Sequence, residues 1–327
     1  MRSGSERRLA GGIACIAWTL LAWSSVPLFL RYFTGYLDGW TTNGWRYGVS
    51  ALLWAPLLLW HASRRSLPVG IFRAAIVPAA VNTLGQCFFA WAPYYIQPGL
   101  MTFMLRLQII FIALGAYLLF PTERRLIRTK RYWLCVLVVF GGSVGTALFG
   151  SAPKTGGTLF GVVLAVTAGM LFGAYVLGVR YYLSQYSPIL SFAVISQYTA
   201  ACLISVMLLL GERHGVKAWE MPWTRFALLL VAGLIGIALS HASYYAAMAR
   251  LSVGVASAVI LLQPFLTSAG SSILFEEVLT PLQWASGATA MLGAFLMILL
   301  RQRLEAAARQ DTPLVTPSAG VVSVEPS

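Results

Sequence analysis

Apolar residues run through this chain in stretches of about twenty, separated by short polar punctuation. A helix rising 1.5 Å per residue needs about 20 residues to cross a hydrocarbon layer about 30 Å thick. That length predicts ten spans, at residues 10–31, 42–60, 71–93, 98–120, 132–150, 157–179, 188–210, 224–247, 252–275 and 281–300. The connections are short. The longest, 211–223, holds Glu212, Arg213, His214, Lys217, Glu220 and Pro222. The first span is too long for a signal peptide and lacks a small-residue cleavage site, so it reads as retained. Beyond Arg301 the chain reads as a polar helix extension that frays into a disordered tail rich in Pro, Ser, Val and Thr. The chain thus divides into a short N-terminal segment 1–9, a helical block 10–150, a second block 157–300 and a tail 301–327.

The two blocks are related. With the chain slid on itself by 155 residues, 85–120 overlies 240–275, and seven positions are identical: Ala92/Ala247, Gly99/Gly254, Leu107/Leu262, Gln108/Gln263, Gly115/Gly270, Leu119/Leu274 and Phe120/Phe275. A glutamine inside a span is not something apolar composition produces by chance. A shift of 149 pairs Gly12 with Gly161 and Arg31 with Arg180, which matches helix one to helix six. The unit is therefore five helices. Five is odd, so the second copy enters the membrane from the opposite side. An all-α polytopic membrane protein of about ten transmembrane helices, built as two inverted five-helix repeats, is the expected fold. Inverted repeats recur in secondary transporters, where two near-equivalent packings open a central site to either side in turn.

Composition agrees. The chain of 327 residues is 58% hydrophobic and 10% charged, against about a quarter charged in soluble domains. The net charge of +13 would suit nucleic acid, but the basic residues lie between apolar runs rather than on one face, so no nucleic acid is expected. With the N-terminus inside, the inner side collects 16 Lys and Arg and the outer side 5, with Arg46 and Arg106 within spans. This asymmetry predicts cytoplasmic N- and C-termini in a multi-pass plasma membrane protein, the inner membrane in a bacterium. The four cysteines, Cys15, Cys87, Cys135 and Cys202, lie in apolar spans without metal-ligand spacing and read as small buried hydrophobes. No Asn-x-Ser/Thr acceptor and no Walker motif is present. No cofactor and no metal is expected, and with no mid-span Asp or Glu an intramembrane enzyme is disfavoured.

A few residues carry candidate chemistry. Arg106 lies about eight residues into helix four, where a charge costs several kcal/mol unless it is paired or faces water. It reads as an anion- or carboxylate-binding group on the substrate path, against a structural arginine bonded to carbonyls or one snorkelling to the surface. Arg46 is expected to snorkel to the outer interface. His241, the one histidine within a span, meets Gln86 under the repeat; it titrates in the right range to couple protons, or it packs inertly. Gln108 and Gln263 either line the cavity or bond across the helix four–nine interface. Pro264 and Pro27 free the carbonyls of Ile260 and Trp23. Trp23, Tyr175 and Tyr244 lie deep and suit an amphipathic or aromatic cargo, or core packing. Trp40, Trp45, Trp60, Trp133, Trp219, Trp223 and Trp284 sit at span ends as interface anchors. Gly141/Gly145 and Gly169/Gly173 have the spacing of close helix contacts.

Residues 243–299 resemble the C-terminal half of EamA-type carriers of the drug/metabolite transporter superfamily. The likeness rests on the run Gly254-Val255-Ala256-Ser257-Ala258, on Gln263-Pro264, on Glu276-Glu277, and on Gly287 and Gly293. The first half carries a weaker copy in Gly99, Gln108, Gly115 and Glu123, and Trp18, Trp23, Pro27 and Arg31 are similar in helix one. Ile109 stands where the first copy would have a proline, and the loop after Phe120 is longer and more basic. The resemblance implies a cavity among helices one, three, four, six, eight and nine, with five and ten outside, and export of a metabolite or drug without a cofactor. The expected partners are a small-molecule substrate and the bilayer; a homodimer is left open. A passive facilitator or a non-transporting membrane protein are the alternatives.

Overall fold

The computed structural model describes residues 2–121, 124, 128–150, 156–251 and 253–310. Among them there are ten long helical stretches and no strand. They are α1 (Arg2–Phe33), α2 (Gly39–Ser63), α3 (Ile71–Trp91), α4 in two pieces (Pro98–Leu105 and Gln108–Leu119), α5 (Lys130–Leu148), α6 (Gly156–Leu183) and α7 (Pro188–Leu210). Then follow α8 (Trp223–Gly233, a π-helical stretch Leu234–Leu239, and Ser240–Met248), α9 in two pieces (Val253–Ile260 and Gln263–Phe275) and α10 (Pro281–Gln310). Nine of the ten are apolar and long enough to cross a membrane. The exception, α2, carries Thr41, Thr42, Asn43 and Arg46 in its first two turns. All four are buried, while Leu52, Leu53 and Leu59 of the same helix face outward. Its polarity points into the protein, so it is a spanning helix with a polar inner face. The expected disordered tail falls largely on residues 311–327, outside the described residues.

The helices pair across the two halves. α2 packs along α7, α4 against α9, and α5 along α10, so in each case a helix meets its own repeat mate. α1 packs on α8, and α3 on α6. Exchanging the halves turns the first of these contacts into the second, as a two-fold relation between inverted copies requires. The connections also sort by end. At one end Arg8 donates to the carbonyl of Ala249 and Tyr186 to that of Val69. At the other, Asp38 caps α2 by accepting from the amide of Thr41 and reaches across to the amide of Glu212, both at 2.9 Å.

Small residues set the closest approaches. A Cβ at Gly142 would lie 2.5 Å from the amide nitrogen of Ala290 in α10, and one at Gly145 would meet Ser286. Nothing lies within 4 Å of Gly141. The sequence spacing therefore chose the wrong glycine of an adjacent pair; the α5–α10 seam uses Gly142. Snorkelling of Arg46 is likewise overturned. It is 1% exposed, its Nη1 donates to Asn43 Oδ1 at 3.3 Å, and α8 packs over its backbone at Gly233. An arginine two turns from a helix start can reach the interface only if its neighbours leave a way out, and α8 closes it. Trp60, Trp133, Trp219 and Trp223 do present exposed rings near helix ends. Trp284 instead stacks on Phe265, and Trp45 donates to the carbonyl of Gly215.

Candidate functional site

α4 and α9 break at the same register of the repeat. In α9 the helix stops at Ile260 and restarts at Gln263, with Leu261 and Leu262 bonded three residues back, to Ala258 and Val259. Pro264, which has no N–H and crowds the preceding turn, accounts for this break. In α4 the stop is at Leu105 and the restart at Gln108, with Arg106 and Leu107 bonded to Phe103 and Met104. No proline stands there. The α4 break is instead seated on the glycine face of α6: a Cβ at Gly169 would be 3.0 Å from the Leu105 carbonyl oxygen, and one at Gly173 3.2 Å from that of Gln108.

The two breaks are linked by side chains. Arg106 Nη2 donates to Gln263 Oε1, and Gln263 Nε2 donates at 2.9 Å to the carbonyl of Trp23. That carbonyl is the one Pro27 deprives of its helical donor, so the expected orphan on α1 is satisfied from α9. One turn on, Thr267 Oγ1 donates to the carbonyl of Ser24 at 3.0 Å. The Trp23 indole donates to Ser240 Oγ at 2.9 Å, and its ring lies 5.3 Å from that of His241 and 5.0 Å from that of Tyr244. His241 stacks on Phe192 at 4.2 Å, and its Nδ1 lies 2.8 Å from the carbonyl of Ile237. A carbonyl only accepts, so Nδ1 carries the hydrogen and Nε2 is the basic nitrogen.

Arg106, Gln263, Trp23, His241 and Tyr244 thus form one connected group on four helices. Tyr175 and Gln86 lie to one side. Tyr175 is within hydrogen-bonding reach of Tyr245, whose ring is 6.2 Å from Phe192. Beside Tyr245 a cavity of about 130 Å³ opens, lined in part by Arg180, Ser191 and Tyr186. Gln86 accepts from Asn43 through its backbone carbonyl and reaches the Tyr47 hydroxyl with its side chain. Gln108 makes no side-chain hydrogen bond to another described residue, so the glutamine pair does not act alike. Trp23, Gln108, Tyr175, His241, Tyr244 and Gln263 are all half-buried although they sit deep in their helices. Among the described residues no three His, Cys, Asp or Glu side chains come together as a metal site would need.

Charge is distributed unevenly. Among the described residues Arg31 pairs with Glu277 at 2.6 Å, where Arg31 also donates to the carbonyl of Pro93 and Ser271 to Glu277. This ties α1, α3 and α9 at the end opposite Arg8. The other two ion pairs, Arg213–Glu220 and Lys217–Glu212, lie in the connection between α7 and α8. None of the three involves Arg106 or Arg46. Sequence reasoning overlooked Ser24, Ser240 and Thr267, since hydroxyls that back-bond to their own helix look the same as those that bridge. It also overlooked Arg31–Glu277, whose partners are 246 residues apart.

The sequence pattern of the EamA-like transporter family matches residues 10–149 and again 159–299. No curated protein matches. A solved structure described only as the crystal structure of a protein superimposes with a TM-score of 0.62 at 16% identity, covering 92% of this chain and 99% of the other. At that identity the likeness concerns the fold.

Proposed function

The chain belongs to the EamA-like transporter family, and from that premise we propose that it is a secondary active carrier exporting a small metabolite or drug-like molecule by alternating access. The observation that carries this reading is the junction of the two broken helices. Irregular backbone at membrane depth is tolerated where it is covered by protein or borders a cavity. Here it recurs at one repeat register in both halves, and the halves touch there through Arg106 and Gln263. Such a junction lies where a pseudo-two-fold exchange moves it least, which suits a binding site that faces each side in turn. The lysine and arginine asymmetry favours cytoplasmic termini in the plasma membrane.

We assign proton coupling to His241. Its Nδ1 hydrogen is committed to the helix, its Nε2 is basic, and it touches Trp23 at the junction. Counterflow in proteoliposomes over a panel of metabolites and drugs tests the carrier itself. Saturable exchange of at least one cargo is expected, and none with folded protein would exclude it. For the same cargo, an imposed pH gradient is expected to drive uphill flux in the wild type. His241→Ala is expected to keep downhill exchange and lose the gradient's effect. Gradient-driven flux that survives the substitution removes His241, and a wild type indifferent to the gradient leaves passive facilitation.

A further inference from the structure

We propose that the cargo carries a single negative charge, in the form of a carboxylate, and that Arg106 receives it. The identification of the anion as cargo rests on the carrier reading; the anion site itself does not.

The argument is one of charge balance. Arg106 is 8% exposed, and its Nε has no partner. Its one side-chain bond goes to a neutral amide, that of Gln263. None of the ten acidic residues of the chain falls in the middle of a span, and among the described residues no carboxylate pairs with it. Guanidinium stays protonated under any physiological condition. An uncompensated cation at this depth costs several kcal/mol or more. Arg106 lies within the first break, two residues before its restart, and is bonded to the first residue of the second restart.

A guanidinium with a donor to spare is matched by a planar anion that accepts two parallel hydrogen bonds. Single charge follows from the same count. One cation offsets one anion in a poorly solvated site, whereas a dianionic phosphate would leave a surplus that nothing nearby compensates. Gln263 then has a second use. It holds Arg106 in the empty state while keeping the Trp23 carbonyl bonded, and an arriving carboxylate takes its place on the guanidinium.

The test uses the full chain in detergent micelles, with thermal unfolding followed against matched pairs: butyrate with butyramide, benzoate with benzamide, and phenyl phosphate as the dianion. Carboxylates are expected to raise the unfolding temperature at concentrations at least tenfold below those their amides need, the scale of one charge-assisted contact. Arg106→Gln is expected to erase that preference, and Arg106→Lys to keep part of it. Gln263→Glu keeps the guanidinium but supplies an internal carboxylate, and is expected to erase the preference in folded protein as well. Amides that match carboxylates, no stabilisation by any carboxylate, or a preference that survives Arg106→Gln or Gln263→Glu overturns the proposal. Phenyl phosphate acting below the carboxylates overturns the choice of headgroup. Counterflow is read separately: carboxylate binding without any flux would defeat the carrier reading and leave the anion site standing, and exchange restricted to neutral cargo would do the reverse.

Discussion

Replacing Gln263 by Leu is expected to abolish transport and to destabilise the folded protein, whereas Gln108→Leu is expected to do neither. The two glutamines are repeat mates, but only one is bonded. Removing the Gln263 amide strips Arg106 of its side-chain acceptor and leaves the Trp23 carbonyl, already without a helical donor because of Pro27, with no partner. A stranded buried carbonyl costs about 1–3 kcal/mol and a stranded charge more, although membrane settings measure such bonds toward the low end. Unfolding midpoints of the two variants in mixed micelles, set beside counterflow, read both effects. Equal losses for the two would mean the bridge does not hold the junction.

The second large effect is expected at Gly169. A side chain there meets the Leu105 carbonyl at 3.0 Å and its Cα at 3.3 Å. Both are main-chain atoms, so nothing flexible can yield. α4 cannot retreat, because α9 packs on it from elsewhere. Gly169→Leu therefore separates α6 from the break, at a cost of about 1–3 kcal/mol or more, and exchange should fall below detection while the protein still reaches the membrane. Gly141→Leu, facing open space, is the matched control expected to transport normally. Normal exchange by Gly169→Leu would show that the glycine face of α6 is dispensable.

These two positions also show what was legible in the sequence. Span lengths, the odd-numbered repeat and the family were readable because they rest on hydrophobic length and on a glutamine repeated at a fixed offset. The need for a donor to the Trp23 carbonyl was readable from Pro27 alone. The identity of that donor was not, because Gln263 is 240 residues away and a polar residue in a span looks the same whether it bridges helices or faces a cavity. The α4 break was invisible for a related reason. Its mate in α9 announces itself with Pro264, but α4 has Ile109 there, and its break comes with the glycines of another helix. Arg46 failed similarly: position along α2 suggested an escape to the interface, and only the packing of α8 closes it. The grouping of Arg106, His241 and Trp23 needed the fold, while their candidacy did not.

The pairing of each helix with a partner from the other half has a consequence for synthesis. α1 meets α8, α2 meets α7, α3 meets α6, α4 meets α9 and α5 meets α10, so no helix of the first half finds its main neighbour until the second half has been made. During translation the first five helices must wait in the bilayer without these partners, with Arg46 and Arg106 still lacking the surfaces that later enclose them. The α5 seam is completed only by α10, the end of the second block. A chain halted after the first block therefore keeps these seams open, and the ribosome's pace through the second block sets how long that exposure lasts.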